Sequence, residues 1–100
     1  MINGPNLNFL GIREPDIYGK TTLKELEDNL IAYAKEKGIE LITFSSNSEG
    51  TLIDYFQKCY YEKVQGIIFN PGAYTHYSYA LCDAIKSVSI PTVEVHISKI

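Results

Sequence analysis

Gly66-Ile67-Ile68-Phe69-Asn70-Pro71-Gly72-Ala73-Tyr74-Thr75-His76 is an apolar run that stops abruptly in a polar, glycine-bearing turn. A short continuous apolar run between turn signals fits a strand buried on both faces, as in parallel sheets, and Pro71-Gly72 makes a buried helix a poor alternative. The pattern predicts a central strand over Gly66 to Phe69 and a loop at its carboxyl end over Asn70 to His76. In open α/β sheets ligands bind in the crevice beyond the carboxyl ends of the strands. With an amide, a phenol and an imidazole, this loop is where chemistry is expected.

Downstream of it, Ala80, Leu81, Ala84, Ile85 and Val88 form a helical stripe that Pro91 closes off, and Thr92 to Ile97 reads as the next strand. Upstream, Ser45-Ser46-Asn47-Ser48-Glu49-Gly50 is a loop with several candidate caps, followed by Leu52, Phe56, Cys59 and Tyr60 on one helical face that ends near Val64. Ile39 to Phe44 reads as a strand before that loop. Thr22-Leu23-Lys24-Glu25 matches a capping box, so a helix should start there, with Leu23, Leu26, Leu30, Tyr33 and Ala34 at helical spacing and Gly38 as a left-handed stop. Met1 to Asn3 forms the last residues of a strand, because Gly4-Pro5 breaks any regular element. Asn3 to Gly19 is longer than an ordinary strand-to-helix connection, a trait of lids and binding loops. Helices alternating with short apolar strands imply a parallel sheet covered on both faces. The pattern does not specify the strand order; with right-handed crossovers, a flavodoxin-type 2-1-3-4 arrangement is the first choice.

A chain of 100 residues is expected to form one domain with one core. Its formal net charge of −3 provides no basic field for nucleic acid or an anionic membrane. The longest apolar runs fall far short of the ~20 residues of a membrane span, and the N-terminus lacks a secretory pattern, so a cytoplasmic protein is expected. Cys59 and Cys82 are in neither CxxC nor Cys/His ligand spacing and are expected to be reduced packing residues.

Three segments follow predicted strand ends and converge at one sheet edge: Asn3 to Tyr18, Asn70 to His76, and Glu94 to Ser98. Both histidines, His76 and His96, fall there, and Glu94 shares a strand face with His96 by the two-residue period. A general acid or base pair is one reading. Hydrogen-bonded structural histidines are the other. A zinc site from His76, Glu94 and His96 has only weak support, since HxE on a strand is common. Neither GxxxxGK[ST] nor GxGxxG follows the first strand, so nucleotide binding has little direct support. Arg13-Glu14-Pro15-Asp16-Ile17-Tyr18 reads either as a solvated turn or as a guanidinium beside a phenol. The second arrangement would lower a pKa normally near 10 and make tyrosine a usable base.

These residues resemble the type II 3-dehydroquinate dehydratases. Asn3-Gly4-Pro5-Asn6-Leu7-Asn8-Phe9-Leu10-Gly11, Arg13-Glu14-Pro15 with Tyr18-Gly19, Ser46-Asn47-Ser48-Glu49-Gly50, Asn70-Pro71-Gly72-Ala73-Tyr74-Thr75-His76 and Glu94-Val95-His96-Ile97-Ser98 all look like that family's motifs, in its order and approximate spacing. The resemblance implies an α/β, flavodoxin-like fold over residues 1–100. It also implies a cofactor-free, reversible loss of water from 3-dehydroquinate through an enolate, in aromatic amino acid biosynthesis by the shikimate pathway. Tyr18 matches the family's base, Arg13 the residue that keeps it ionised, and Asn6 the amide that steadies the enolate. His96, oriented by Glu94, matches the acid that protonates the departing hydroxyl. Asn70 and the backbone amides of Ile97 and Ser98 match the substrate carboxylate site, His76 a binder of the ring hydroxyls, and Asp83 a residue reaching a neighbouring subunit's site. The implied partners are the small-molecule substrate and further copies of the chain, as a trimer-based dodecamer, with no metal, nucleic acid or membrane.

The chain departs from the pattern at Cys82, where arginine is expected, at Ser45, where glutamine is usual, and at Lys99, where asparagine is usual. The family pattern also continues past the position of Ile100 through a further helix, strand and helix that include an arginine closing over the substrate. A partial flavodoxin-like domain is therefore expected, with one sheet face half bare and the isolated chain prone to association. The competing functional readings are a non-catalytic flavodoxin-like binding module and a metal-dependent hydrolase.

Overall fold

Thr22 opens the first helix, α1 (Leu23–Glu36): its side-chain oxygen accepts the Glu25 amide hydrogen at 3.2 Å. This is the half of the capping box that satisfies an orphan N–H of the first turn. The computed structural model describes residues 1–7, 21–72 and 79–96. Glu25 in the first turn and Lys35 in the last complement the helix dipole, and Gly38, at φ 75°, turns the chain out of the helix. Helix α2 (Glu49–Tyr61) begins by the same device, Ser48 Oγ accepting the Thr51 amide hydrogen at 3.3 Å. Helix α3 (Tyr79–Val88) buries Leu81, Ala84 and Val88 of the expected stripe, with Ile85 half-buried and Ala80 exposed near the start of the helix.

Four short strands, β1 (Ile2–Asn3), β2 (Phe44–Ser45), β3 (Ile67–Asn70) and β4 (Thr92–Glu94), form one sheet in the order 2-1-3-4. Every neighbouring pair is parallel, with Ile2 opposite both Phe44 and Phe69. The expected flavodoxin-like order is the one observed. The two-residue period sends Ile2, Ile67 and Phe69 to one face and Asn3, Ile68 and Asn70 to the other. On the first face they meet Leu52, Phe56 and Cys59 of α2 and Leu81 and Val88 of α3, forming the core. Phe56 meets Phe69 edge to face, with ring centroids 5.3 Å apart, an arrangement favoured by the ring quadrupoles. Phe44 extends the cluster by stacking on Tyr55 at 4.0 Å. On the second face, α1 reaches the sheet through Glu27, whose Oε2 accepts from Asn3 Nδ2 at 3.0 Å. These contacts put α1 on one side of the sheet and α2 and α3 on the other, the arrangement that right-handed crossovers would give.

Several element bounds differ from the sequence reading, and strand β3 runs Ile67–Asn70 rather than Gly66 to Phe69, which takes Asn70 out of the loop and into the strand. Strand β2 covers only Phe44–Ser45 rather than starting at Ile39; its ladder to β1 sets Phe44 against Ile2 and Ser45 against Asn3. Helix α2 ends at Tyr61, three residues before Val64, where Lys63 adopts a left-handed φ of 57°. Strand β4 ends at Glu94, although the Val95 amide still donates to the Phe69 carbonyl at 2.9 Å. The half-bare sheet face is present: Ile68 and Val93, paired in register, are 40% and 62% exposed.

Candidate active site

The carboxyl ends of β1 and β3 run into two turns whose backbones press against each other. The Gly4 amide donates to the Asn70 carbonyl at 2.7 Å. A Cβ added at Gly4 would lie 2.4 Å from the Pro71 carbonyl oxygen, and one added at Gly72 would lie 2.5 Å from that of Pro5. Gly72 also sits at φ 62°, a conformation that L side chains rarely adopt. Glycine is therefore required twice at one crossing, and the crossing brings Asn6 and Asn70 to the same sheet edge.

Asn70 is buried, and its Oδ1 accepts the Gly72 amide hydrogen at 3.1 Å. That bond fixes the amide so that Nδ2 is the remaining donor, and Nδ2 has no partner among the described residues. Its register neighbour Asn3 is the complement: Nδ2 is held by Glu27, and the buried Oδ1 has no partner among the described residues. A donor and an acceptor thus lie on neighbouring strands at the carboxyl edge. Leaving a buried polar atom unpaired costs about 1–3 kcal/mol, so such atoms are expected at sites that serve another purpose.

Asn6 follows the Gly4-Pro5 turn, exposed and at a left-handed φ of 67°. Its backbone N–H donates to Asn47 Oδ1 at 2.9 Å. Asn47 belongs to the turn between β2 and α2, in which the Ser46 amide donates to the Asn3 carbonyl and the Ser48 amide to Ser46 Oγ, both at 3.0 Å. Three strand ends are therefore tied together through loop backbone.

At the end of β4, Glu94 Oε1 lies 3.1 Å from His96 Nε2, with both side chains about one-third exposed. A carboxylate on one imidazole nitrogen orients the ring, while Nδ1 remains for proton transfer. The two-residue spacing had predicted this juxtaposition. Asp83 lies on the exposed side of α3, where its backbone carbonyl accepts from Ser87 Oγ at 2.7 Å. Among the described residues, nothing brings its carboxylate to the Glu94–His96 pair. Arg13, Tyr18, His76, Ile97 and Ser98 lie outside the described residues. No three His, Cys, Asp or Glu side chains among the described residues converge as metal ligands.

Sequence reasoning missed Glu27 and the role of Asn47. Glu27 carries no motif beyond its place two residues after the capping glutamate, and its contact with Asn3 joins a helix to a strand across a loop. Asn47 lay within a recognised motif, but nothing in its spacing marked a bond to Asn6.

The family model described as "Dehydroquinase class II" matches residues 1–100. The chain is 57% identical over 100 residues to a 3-dehydroquinate dehydratase of Caldicellulosiruptor bescii, covering 69% of that protein. It is 54% identical over 100 residues to one of Carboxydothermus hydrogenoformans, covering 64% of it. The crystal structure of a type II dehydroquinase from Butyrivibrio crossotus superposes with a TM-score of 0.94 at 55% identity, over 98% of this chain and 68% of that one. A 3-dehydroquinate dehydratase-like protein from Bifidobacterium longum, at 31% identity, gives a TM-score of 0.74. The chain thus spans about two-thirds of the length of these relatives.

Proposed function

This chain belongs to the class II dehydroquinase family, and on that premise we propose that it catalyses the reversible loss of water from 3-dehydroquinate, giving 3-dehydroshikimate through an enolate. Removing a proton alpha to a ketone needs a positioned base and a group that stabilises the developing negative charge. Preorganised donors can meet the second need without a metal. Tyr18 is the base, and the guanidinium of Arg13 holds it as phenolate. Asn6 steadies the enolate. His96, held by Glu94, then protonates the departing hydroxyl, so that the carbon–oxygen bond breaks and water leaves.

Substrate binding follows from the same edge of the sheet. Asn70 Nδ2, with the backbone amides of Ile97 and Ser98, donates hydrogen bonds to the substrate carboxylate, and His76 binds the ring hydroxyls. Asp83 serves a neighbouring subunit's site in a homo-oligomer, a trimer-based dodecamer. Its exposed position on α3 supports this role. The protein works in the cytoplasm, in the shikimate route to aromatic amino acids.

The observation that carries the mechanism is the 3.1 Å contact between Glu94 and His96 at the carboxyl end of β4. An imidazole so held is an oriented proton donor at the edge where this sheet type binds ligands. The test is ultraviolet detection of the conjugated enone formed from 3-dehydroquinate by the full-length protein. Enone formation that falls in His96→Ala is the expected result, and a folded protein with no turnover overturns the proposal.

A further inference from the structure

Asn6 combines two features that need explanation. It holds a left-handed backbone conformation at φ 67°, which L residues enter rarely, though asparagine more readily than most. It also lies exposed just beyond a two-residue strand, where a turn has few neighbours to hold its shape.

Its backbone N–H is held by the side chain of Asn47, Oδ1 accepting at 2.9 Å. That hydrogen belongs to the Pro5–Asn6 peptide plane, and the plane together with φ sets the direction of the Asn6 side chain. Asn47 is itself well anchored. The residue before it bonds to β1, its Ser46 amide donating to the Asn3 carbonyl at 3.0 Å. The residue after it caps α2 through Ser48 Oγ and also donates to Ser46 Oγ at 3.0 Å.

We propose that Asn47 is a positioning residue: its carboxamide oxygen locks the Pro5–Asn6 peptide and thereby aims the Asn6 amide at the enolate. This rests on the reading of Asn6 given above. Only the acceptor oxygen matters for the role, so an aspartate at position 47 substitutes for it, and alanine does not. Without the bond, the turn relaxes toward the right-handed region and the side chain of Asn6 swings away. Misplacing a catalytic group by about 1 Å costs on the order of a hundredfold in rate, so a loosened Asn6 is expected to cost roughly tenfold or more.

The experiment compares Asn47→Ala, Asn47→Asp, Asn6→Ala and the Asn6→Ala/Asn47→Ala double variant in the full-length enzyme. Asn47→Ala is expected to lower kcat about tenfold or more with KM little changed, Asn47→Asp to recover most of it, and the double variant to be no slower than Asn6→Ala alone. A normal kcat in Asn47→Ala while Asn6→Ala is slow overturns the role of Asn47 but leaves that of Asn6 standing. A normal kcat in Asn6→Ala overturns both. Amide hydrogen exchange at Asn6 reads the bond without turnover: protection in the parent and in Asn47→Asp, and its loss in Asn47→Ala, is expected. Equal exchange rates in parent and Asn47→Ala overturn the inference whatever the kinetics show.

Discussion

Replacing Gly4 by alanine adds one methyl group where two backbones already touch. The new Cβ would stand 2.4 Å from the Pro71 carbonyl oxygen and 2.8 Å from its carbon, while ordinary contacts begin near 3.4 Å. The turns after β1 and β3 must therefore separate by about 1 Å. No flexible side chain can yield in place of backbone, and the same movement stretches the 2.7 Å bond from the Gly4 amide to the Asn70 carbonyl. Overpacking of this kind costs about 1–3 kcal/mol, and loss of an internal hydrogen bond adds about 1 kcal/mol. The sum, roughly 2–4 kcal/mol, is a large share of the ~5–15 kcal/mol that stabilises a domain. For a domain of up to ~100 residues each kcal/mol moves Tm by about 4–8 °C, so a fall on the order of 10–30 °C is expected. Urea unfolding followed by circular dichroism should show a lower midpoint with unchanged slope. Gly50→Ala is the control: its Cβ meets nothing closer than Ser48 Oγ at 3.9 Å, and alanine suits the first turn of α2. A Gly4→Ala variant as stable as its parent would refute the argument that the crossing is sterically saturated.

Tyr18→Phe should lower kcat by about 10²- to 10⁴-fold with little change in KM, since the lost group acts in proton transfer. An unchanged kcat in a steady-state assay rejects Tyr18 as base. Glu27→Ala strands the buried Asn3 Nδ2 and is expected to cost about 1–3 kcal/mol in urea unfolding, with Glu27→Gln recovering most of it through its own amide oxygen. Equal losses in both variants would show that the hydrogen bond is not what Glu27 contributes. Burial raises the Cys59 thiol above its ordinary pKa, so the folded state holds that proton more tightly than the unfolded chain. The resulting stability is present below the unfolded thiol's pKa of about 8.5 and is lost as pH rises through the folded value. Thermal melts above that pH should fall more steeply for the parent than for Cys59→Ala, and parallel curves would contradict the sign.

Much of the fold could be read from the chain because its punctuation is local. Thr22 and Ser48 mark helix starts by the bonds they make, and Pro91 and Gly38 mark stops. The run at Ile67 to Asn70 is the expected central strand, buried on its core face, although Ile68 on the other face is exposed where burial on both faces was expected. What escaped was set by distant partners. Ile39 to Leu41 have strand character, yet a strand needs a ladder, and the ladder with β1 takes in only Phe44 and Ser45. The bonds between Asn3 and Glu27 and between Asn6 and Asn47 depend on how a helix and a loop are placed over a sheet edge, which no spacing along the chain encodes. Glu94 and His96 were legible for the opposite reason: two residues apart at a strand end, they share a face whatever surrounds them.

The strand order also sets when the molecule can fold. On the core face Ile2 meets Phe44 on one side and Phe69 on the other, so the earliest of these four strands in the chain lies inside the sheet rather than at its edge. Both of its partners lie more than 40 residues along the chain. Until Asn70 has left the ribosome, β1 can be flanked on one side only, and helix α2 must wait to bury Phe56 against Phe69. Such non-local pairing bears its loop-closure entropy before any contact compensates it, which slows folding and lengthens the interval in which apolar residues stand open to other chains. Synthesis rate across the segment encoding α2 and β3 thus becomes a determinant of yield, and slowing translation only after Asn70 should favour the native sheet over association.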